Sequence, residues 1–186
     1  MRTGVLPRVA VRVRLVRHPP PAVAAGLCYG QTDLPLADDV AAWAKQLRDE
    51  TAPVLPCYTS PLQRCRLLAE ALHPAPVADS RLMEMNFGLW EMQAWSDLSR
   101  SALDAWAADP MGFAPPGGES VMQMQARVLA FLRERDEEDL LLVTHGGVIK
   151  LLWGLVHGEP PEVWQARRFA YGGLVKLDLP DALFRP

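Results

Sequence analysis

Residues 9–21 read VAVRVRLVRHPPP. Apolar residues alternate with arginine as far as Val16, the period-two pattern of a β-strand, and Arg17-His18 then runs into three prolines. Proline fixes φ and lacks a backbone N–H, so nothing regular continues past His18. The stretch predicts a strand over 9–16 that delivers an Arg-His pair at its carboxyl end. Arg12 and Arg14 then belong either to a half-buried strand or to the entry end of a central one.

Outward from that strand the chain alternates between strand and helix patterns. Pro, Gly and Ala dominate a loop over 19–36, followed by LADDVAAWAKQLRDE, with Val40, Trp43 and Leu47 at helical spacing and Asp38 or Asp39 as cap. PVLPCYTS is a short strand, and Ser60-Pro61 predicts an N-cap with proline at the first position of the helix LQRCRLLAEAL. Another short strand is expected at 77–80 and one or two short helices over 93–109. Ser120 with Gln123 is a capping-box pattern, opening a helix with Val121, Met124, Val128 and Phe131 or Leu132 on its core stripe. DLLLVTH is an almost continuous apolar strand, the pattern of a buried parallel strand. Gly146-Gly147 leads into the helix VIKLLWGLV; a helix at 161–168 and a strand at 173–179 follow. The expected fold is α/β, a three-layer sandwich with a mostly parallel central sheet and helices on both faces. A single domain over 1–186 is expected, with an N-terminal extension at 1–8 and a lid-like insertion at 92–118.

Composition narrows the function. The 186 residues are 49% hydrophobic and 22% charged, with a formal charge of −3. An acidic balance argues against nucleic acid as partner. No apolar run reaches the length of a membrane span, and no signal-peptide core is visible, so no membrane partner and a cytoplasmic location are expected. Cys28, Cys57 and Cys65 are odd in number and lack CxxC spacing, which favours free thiols over disulfides or zinc. No metal and no cofactor are called for, and the oligomeric state is not legible.

His18 and His145 each follow a strand directly, and in open α/β sheets ligands bind at the carboxyl ends of strands. Arg64 lies in the first turns of a helix that follows a strand, where backbone N–H groups favour an anion. His73 and His157 fall at helix C-termini and are read as structural.

Arg17-His18, TSPLQR, LMEMNFGLWE, GGES and VTHGG occur in an order that resembles the histidine phosphatase superfamily, which includes the phosphoglycerate mutases. The resemblance runs from about residue 11 to 178, and CYGQTDLPL with the compact length is most similar to the α-ribazole phosphatase branch. It implies that His18 is the nucleophile and is phosphorylated in turn. Arg17, Arg64 and His145 would bind the phosphoryl oxygens, with Gly146 and Gln31 as further substrate-binding positions. Glu84 would protonate the leaving oxygen, and Glu91 is its rival. The chemistry agrees, since phosphoryl transfer needs positive charge around three equatorial oxygens and an acid for a poor leaving group.

The chain departs from the common Arg-His-Gly at Pro19, which removes an N–H near the phosphate, and from Trp-Glu-Gly at Met92. Over 92–118 the only basic residue is Arg100, against Met92, Trp95, Trp106, Met111 and Phe113. A mutase would need further cations there for a carboxylate. The expected activity is therefore metal-independent hydrolysis of a small phosphomonoester with an uncharged or aromatic body, such as α-ribazole 5′-phosphate. Phosphoglycerate mutase-type transfer and a non-catalytic phospho-ligand binding module are the alternatives.

Overall fold

A computed structural model of the chain describes residues 10–51 and 55–184. The expected extension at 1–8 lies outside them. Strand β1 (Ala10–Arg17) is followed by α1 (Val40–Thr51), β2 (Cys57–Thr59), α2 (Gln63–Leu72) and β3 (Val77–Ala78). Next come α3 (Arg100–Ala108), α4 (Val121–Arg133), β4 (Asp139–Thr144), α5 (Gly146–His157), α6 (Pro161–Ala166) and β5 (Leu174–Pro180). The sheet order is β3-β2-β4-β1-β5; β1 through β4 run parallel and β5 pairs antiparallel with β1.

Both faces of the sheet are covered, as its apolar strands require. On one face Val11, Val13 and Leu15 pack with Leu140 and Leu142 against residues of α4 and α5 such as Phe131 and Ile149. On the other, Val16, Leu141 and Val143 meet Leu47 of α1 and Leu68 of α2. Arg12 and Arg14 share the second face but sit at the entry end, where both pair with Asp139. A third, aromatic cluster gathers Trp90, Trp95, Trp106 and Phe113 around buried Cys28. Most of the aromatic residues of 92–118 are thus packed together.

The caps follow the sequence with one correction. Asp39 accepts from Ala41 N–H, and Ser120 with Gln123 closes a capping box. Ser60 does not cap α2, which starts two residues beyond Pro61. The Ser60 hydroxyl accepts from Leu62 N–H at 3.3 Å, ahead of the helix, and lies 2.8 Å from His145 Nε2, while Asp33 of the long loop accepts from Gln63 N–H at 2.8 Å.

Met92 has φ +65°, the left-handed region that glycine adopts freely, and is the one such non-glycine among the described residues. Its N–H donates to Cys28 O at 2.7 Å, so the turn is held by the neighbouring loop. The left-handed conformation costs an L-residue roughly 1–2 kcal/mol, part of which glycine forfeits through its freer unfolded chain. Met92→Gly should therefore stabilise the fold by up to about 1 kcal/mol, raising Tm by ~2–4 °C for a chain of this size. A lower Tm in a thermal melt would show that contacts of the Met92 side chain outweigh the strain.

Candidate active site

Parallel pairing of β1 with β4 places Arg17 opposite Thr144. The next residue on each strand is therefore a histidine at the same end of the sheet. The rings of His18 and His145 lie 5.0 Å apart in an edge-on arrangement. Strand β2 pairs with β4 from the other side, and the turn after it delivers Ser60 and then Arg64. Three strand ends thus converge on one spot.

Pro19 turns out to matter through its carbonyl. His18 Nδ1 lies 2.7 Å from Pro19 O, and a carbonyl can only accept, so the proton sits on Nδ1. Nε2 keeps the free lone pair. The N–H lost at residue 19 leaves the sheet intact, because His18 N–H itself closes the ladder on Thr144 O at 3.0 Å. Burial, then the Arg64 guanidinium and, more weakly, Arg17 push the His18 imidazole down to about 3, against the Pro19 hydrogen bond. His145 is likewise held well below the ordinary imidazole value, first by burial and then by His18 and Arg64. Both rings are neutral. Cys65 Sγ lies 3.4 Å from His145 Nε2, and burial keeps that thiol protonated.

His18 is 2% exposed, and Arg64 and His145 are 0% exposed. Arg64 donates to Thr32 O and Gly30 O, and Arg17 donates to Phe169 O at 2.6 Å. The Nε of each arginine is buried without a partner among the described residues. Orphaned cationic donors beside two neutral imidazoles are suited to an oxyanion. Above them Tyr29 and Tyr171 meet hydroxyl to hydroxyl at 2.6 Å. The Arg17 guanidinium stacks 3.8 Å from the Tyr171 ring centre, and Arg64 lies 5.6 Å from that of Tyr29.

Glu84 enters from the loop after β3. Its carboxylate accepts from Gly147 N–H and Met85 N–H, each at 3.0 Å. A Cβ at residue 147 would come within 2.1 Å of Glu84 Oε1, so Gly147 is needed for this approach. Glu91 has a different job. It accepts from the N–H groups of Gln31, Thr32 and Phe87 and from the Thr32 hydroxyl. Burial would raise its pKa, but those donors outweigh it and hold the carboxyl below its usual range. Glu91 is thereby committed to pinning the loop. Gln31 donates its side-chain amide to Glu84 O at 3.1 Å, placing it behind the acid loop.

Sequence reading missed several residues here. Arg127, on α4, donates to the carbonyls of Arg81, Met83 and Glu84 and pairs with Glu119 at 2.6 Å. The Glu119 of GGES, eight residues earlier, is the signal that could have found it. Arg17, Glu84, Gly146 and Gly147 open onto a cleft of about 500 Å³, whose far wall carries Lys150, Arg168 and Tyr171. A smaller cavity of about 220 Å³ behind Glu84 is lined by Phe87, Trp106, Met124 and Trp164. The cations that line the cleft besides Arg17 thus come from α5 and the loop before β5, not from 92–118. His157 takes no part in the cleft; its Nδ1 bonds Trp153 O. Among the described residues no group of three or more His, Cys, Asp or Glu side chains gathers as a metal site, and no helix is long and apolar enough to cross a membrane.

A three-layer α/β fold that gathers two neutral histidines and two arginines beside its strand ends suits a phosphoryl-binding class of protein. Residues 13–185 match the model of the histidine phosphatase superfamily (branch 1), and the chain belongs to that family. Over 156 residues it is 33% identical to an adenosylcobalamin/α-ribazole phosphatase of Salmonella typhimurium, covering 76% of this chain and 77% of that one. A glucosyl-3-phosphoglycerate phosphatase of Mycolicibacterium vanbaalenii is 29% identical, with coverages of 82% and 77%. The crystal structure of phosphoglycerate mutase from Thermus thermophilus superposes with a TM-score of 0.75 at 31% identity, covering 91% of this chain and 98% of that one.

The two buried imidazoles set a pH dependence. Below the ordinary value near 6.5 the unfolded chain protonates both, while the folded His18 takes its proton only near 3. Their contribution to stability is full above pH 6.5 and is lost as the pH falls below it, for His18 down towards 3. Urea unfolding at pH 5 should show stability lower than at pH 7, by on the order of 1–2 kcal/mol from His18 alone, with His145 adding in the same direction. His145→Asn should shrink that difference; an unchanged difference would contradict neutral burial of His145.

Proposed function

We propose that the protein is a phosphomonoester hydrolase that works through a phosphohistidine on a small phosphorylated metabolite, without a metal. One observation carries the reading: the Pro19 carbonyl accepts the hydrogen bond from His18 Nδ1–H, leaving Nε2 as a neutral nucleophile beside the unpaired Nε donors of Arg17 and Arg64. In the first step Nε2 forms a bond to phosphorus as the P–O bond to the alcohol breaks. The departing oxygen keeps that electron pair and takes a proton from Glu84. In the second, water gives a proton to Glu84 and attacks phosphorus, the P–N bond breaks, and phosphate and neutral His18 are released. Arg17, Arg64 and His145 donate to the equatorial oxygens, and arginine stays charged throughout.

The apolar cavity behind Glu84 supports an ester whose alcohol has an apolar or aromatic body. With the α-ribazole phosphatase likeness, α-ribazole 5′-phosphate is the first ester to assay. We also propose that the described residues act as one cytoplasmic catalytic domain, with 92–118 as its lid.

His18→Ala should abolish hydrolysis of 4-nitrophenyl phosphate assayed in chelator, and wild type quenched in alkali should retain acid-labile phosphohistidine. No turnover and no phosphoenzyme would leave a binding module. Glu84→Gln should slow alkyl phosphates by ~10²–10⁴-fold, the range of general acid catalysis, and 4-nitrophenyl phosphate far less. Equal losses for both esters would remove Glu84 from the role of acid.

A further inference from the structure

We propose that Tyr29 and Tyr171 form a gate over the phosphoryl cradle, held shut by their hydroxyl bridge and opened by side-chain rotation to admit a phosphoryl group. The inference rests on the phosphomonoester reading for what enters, and on the geometry of the roof for how it enters. The cradle is closed as it stands. His18 is 2% exposed and Arg64 and His145 are 0% exposed, so even a water-sized sphere scarcely touches the imidazole that must meet phosphorus. The neighbouring cleft is lined by Arg17, Glu84, Gly146 and Tyr171, and its lining stops short of His18.

The two tyrosines roof that gap. The Tyr171 ring stands 5.6 Å from the His18 ring and covers the Arg17 guanidinium at 3.8 Å. Tyr29 takes the same place beside Arg64, at 5.6 Å. Their hydroxyls close the span at 2.6 Å, and among the described residues neither hydroxyl has another hydrogen-bond partner. Burial and then the bond to Tyr171 push the Tyr29 phenol up, against Arg17 and Arg64, so it stays a neutral hydroxyl beside the arginines. The backbones beneath the rings are fixed. Gly172 N–H donates to the Arg17 and His18 carbonyls, and Arg17 N–H donates to Gly173 O. On the other side Cys28 N–H donates to Gln93 O, Met92 N–H to Cys28 O, and the Arg64 guanidinium to Gly30 O. With both loops tied down, entry falls to rotation of the side chains, and the bridge is the hydrogen bond that rotation must break. Both tyrosines are half-buried and so have a way outward. One such bond shifts a two-state balance by about three- to tenfold, enough to keep a gate mostly shut and still easily opened. Rotation of Tyr171 uncovers Arg17 along with His18, so a single movement presents the nucleophile and a cation together.

The test separates a gate from a binding contact by the sign of the effect. Tyr29→Phe and Tyr171→Phe each keep the aromatic face beside its arginine and delete one end of the bridge. Calorimetry with inorganic phosphate should then show about three- to tenfold tighter binding by each variant than by wild type, because affinity is reduced in proportion to the fraction of molecules that are shut. The double variant should gain no more than either single one, since both remove the same bond. The two substitutions break the bridge from opposite loops, so a folding defect in one leaves the other as the test. Weaker binding by the variants would make the hydroxyls phosphate ligands, and unchanged binding would leave the roof without a role in access; either overturns the gate. Gains that add in the double variant overturn it too, since the hydroxyls would then act separately. Absence of phosphate binding in all four proteins has the same consequence, while turnover of 4-nitrophenyl phosphate judges the hydrolase reading on its own. Tightened, non-additive phosphate binding with no turnover in any of the four fails the hydrolase reading and leaves the gate standing.

Discussion

The register between β1 and β4 is the constraint on which the site depends. With Arg17 opposite Thr144, the following residues are both histidines, and their rings meet 5.0 Å apart. A slip of one residue would turn Val13 and Leu15 out of one core and Val16 out of the other, because side chains alternate between faces. The same apolar alternation that covers two faces of the sheet therefore also aligns the two imidazoles. Packing and chemistry share a single specification here, and neither can drift without the other.

Convergence has an electrostatic cost that the fold meets with backbone groups. Two imidazoles and Arg64 are buried side by side, which is tolerable only because the imidazoles stay neutral and the guanidinium donates to carbonyls. The arginines are further packed on tyrosine faces, where a weakly hydrated planar cation loses least on leaving water. Around them the loops are pinned by ionised side chains: Glu91 gathers the 30–32 turn, and Arg127 gathers the carbonyls that precede and include Glu84. Charged groups that touch no reacting atom thus hold the geometry of those that would.

Much of this was legible in the sequence, for identifiable reasons. Strand and helix patterns are local, so β1, α4 with its capping box, and the apolar β4 could be read from period and caps alone. The His18, His145 and Arg64 cluster could be read because each residue immediately follows a strand or opens a helix. What could not be read depends on distant partners. Ser60 has the local signature of an N-cap, yet its hydroxyl faces His145, 85 residues away, and Asp33 serves the helix instead. The prolines after His18 signalled only a missing N–H, whereas the retained Pro19 carbonyl sets the imidazole tautomer. Glu84 and Glu91 look alike in sequence and separate only when their donors are counted.

The same limit bears on specificity. Judging the cleft by the segment expected to cover it, 92–118, finds aromatic residues and a single arginine, and argues for an uncharged substrate. Those aromatic residues mostly pack on one another and on Cys28, while the cleft wall facing Glu84 comes from α5 and the loop before β5. Gly147 and Lys150 border both the cationic cleft and the apolar cavity, so the two compartments meet beside the acid. On the proposed reading, an alcohol displaced from phosphorus by His18 leaves beside Glu84 whichever compartment its body occupies. Glu84 lines both compartments, so one carboxyl could serve a leaving group in either. A fold that keeps the phosphoryl cradle on strand ends can accordingly change its substrate by altering α5 and one loop while leaving the reacting groups in place.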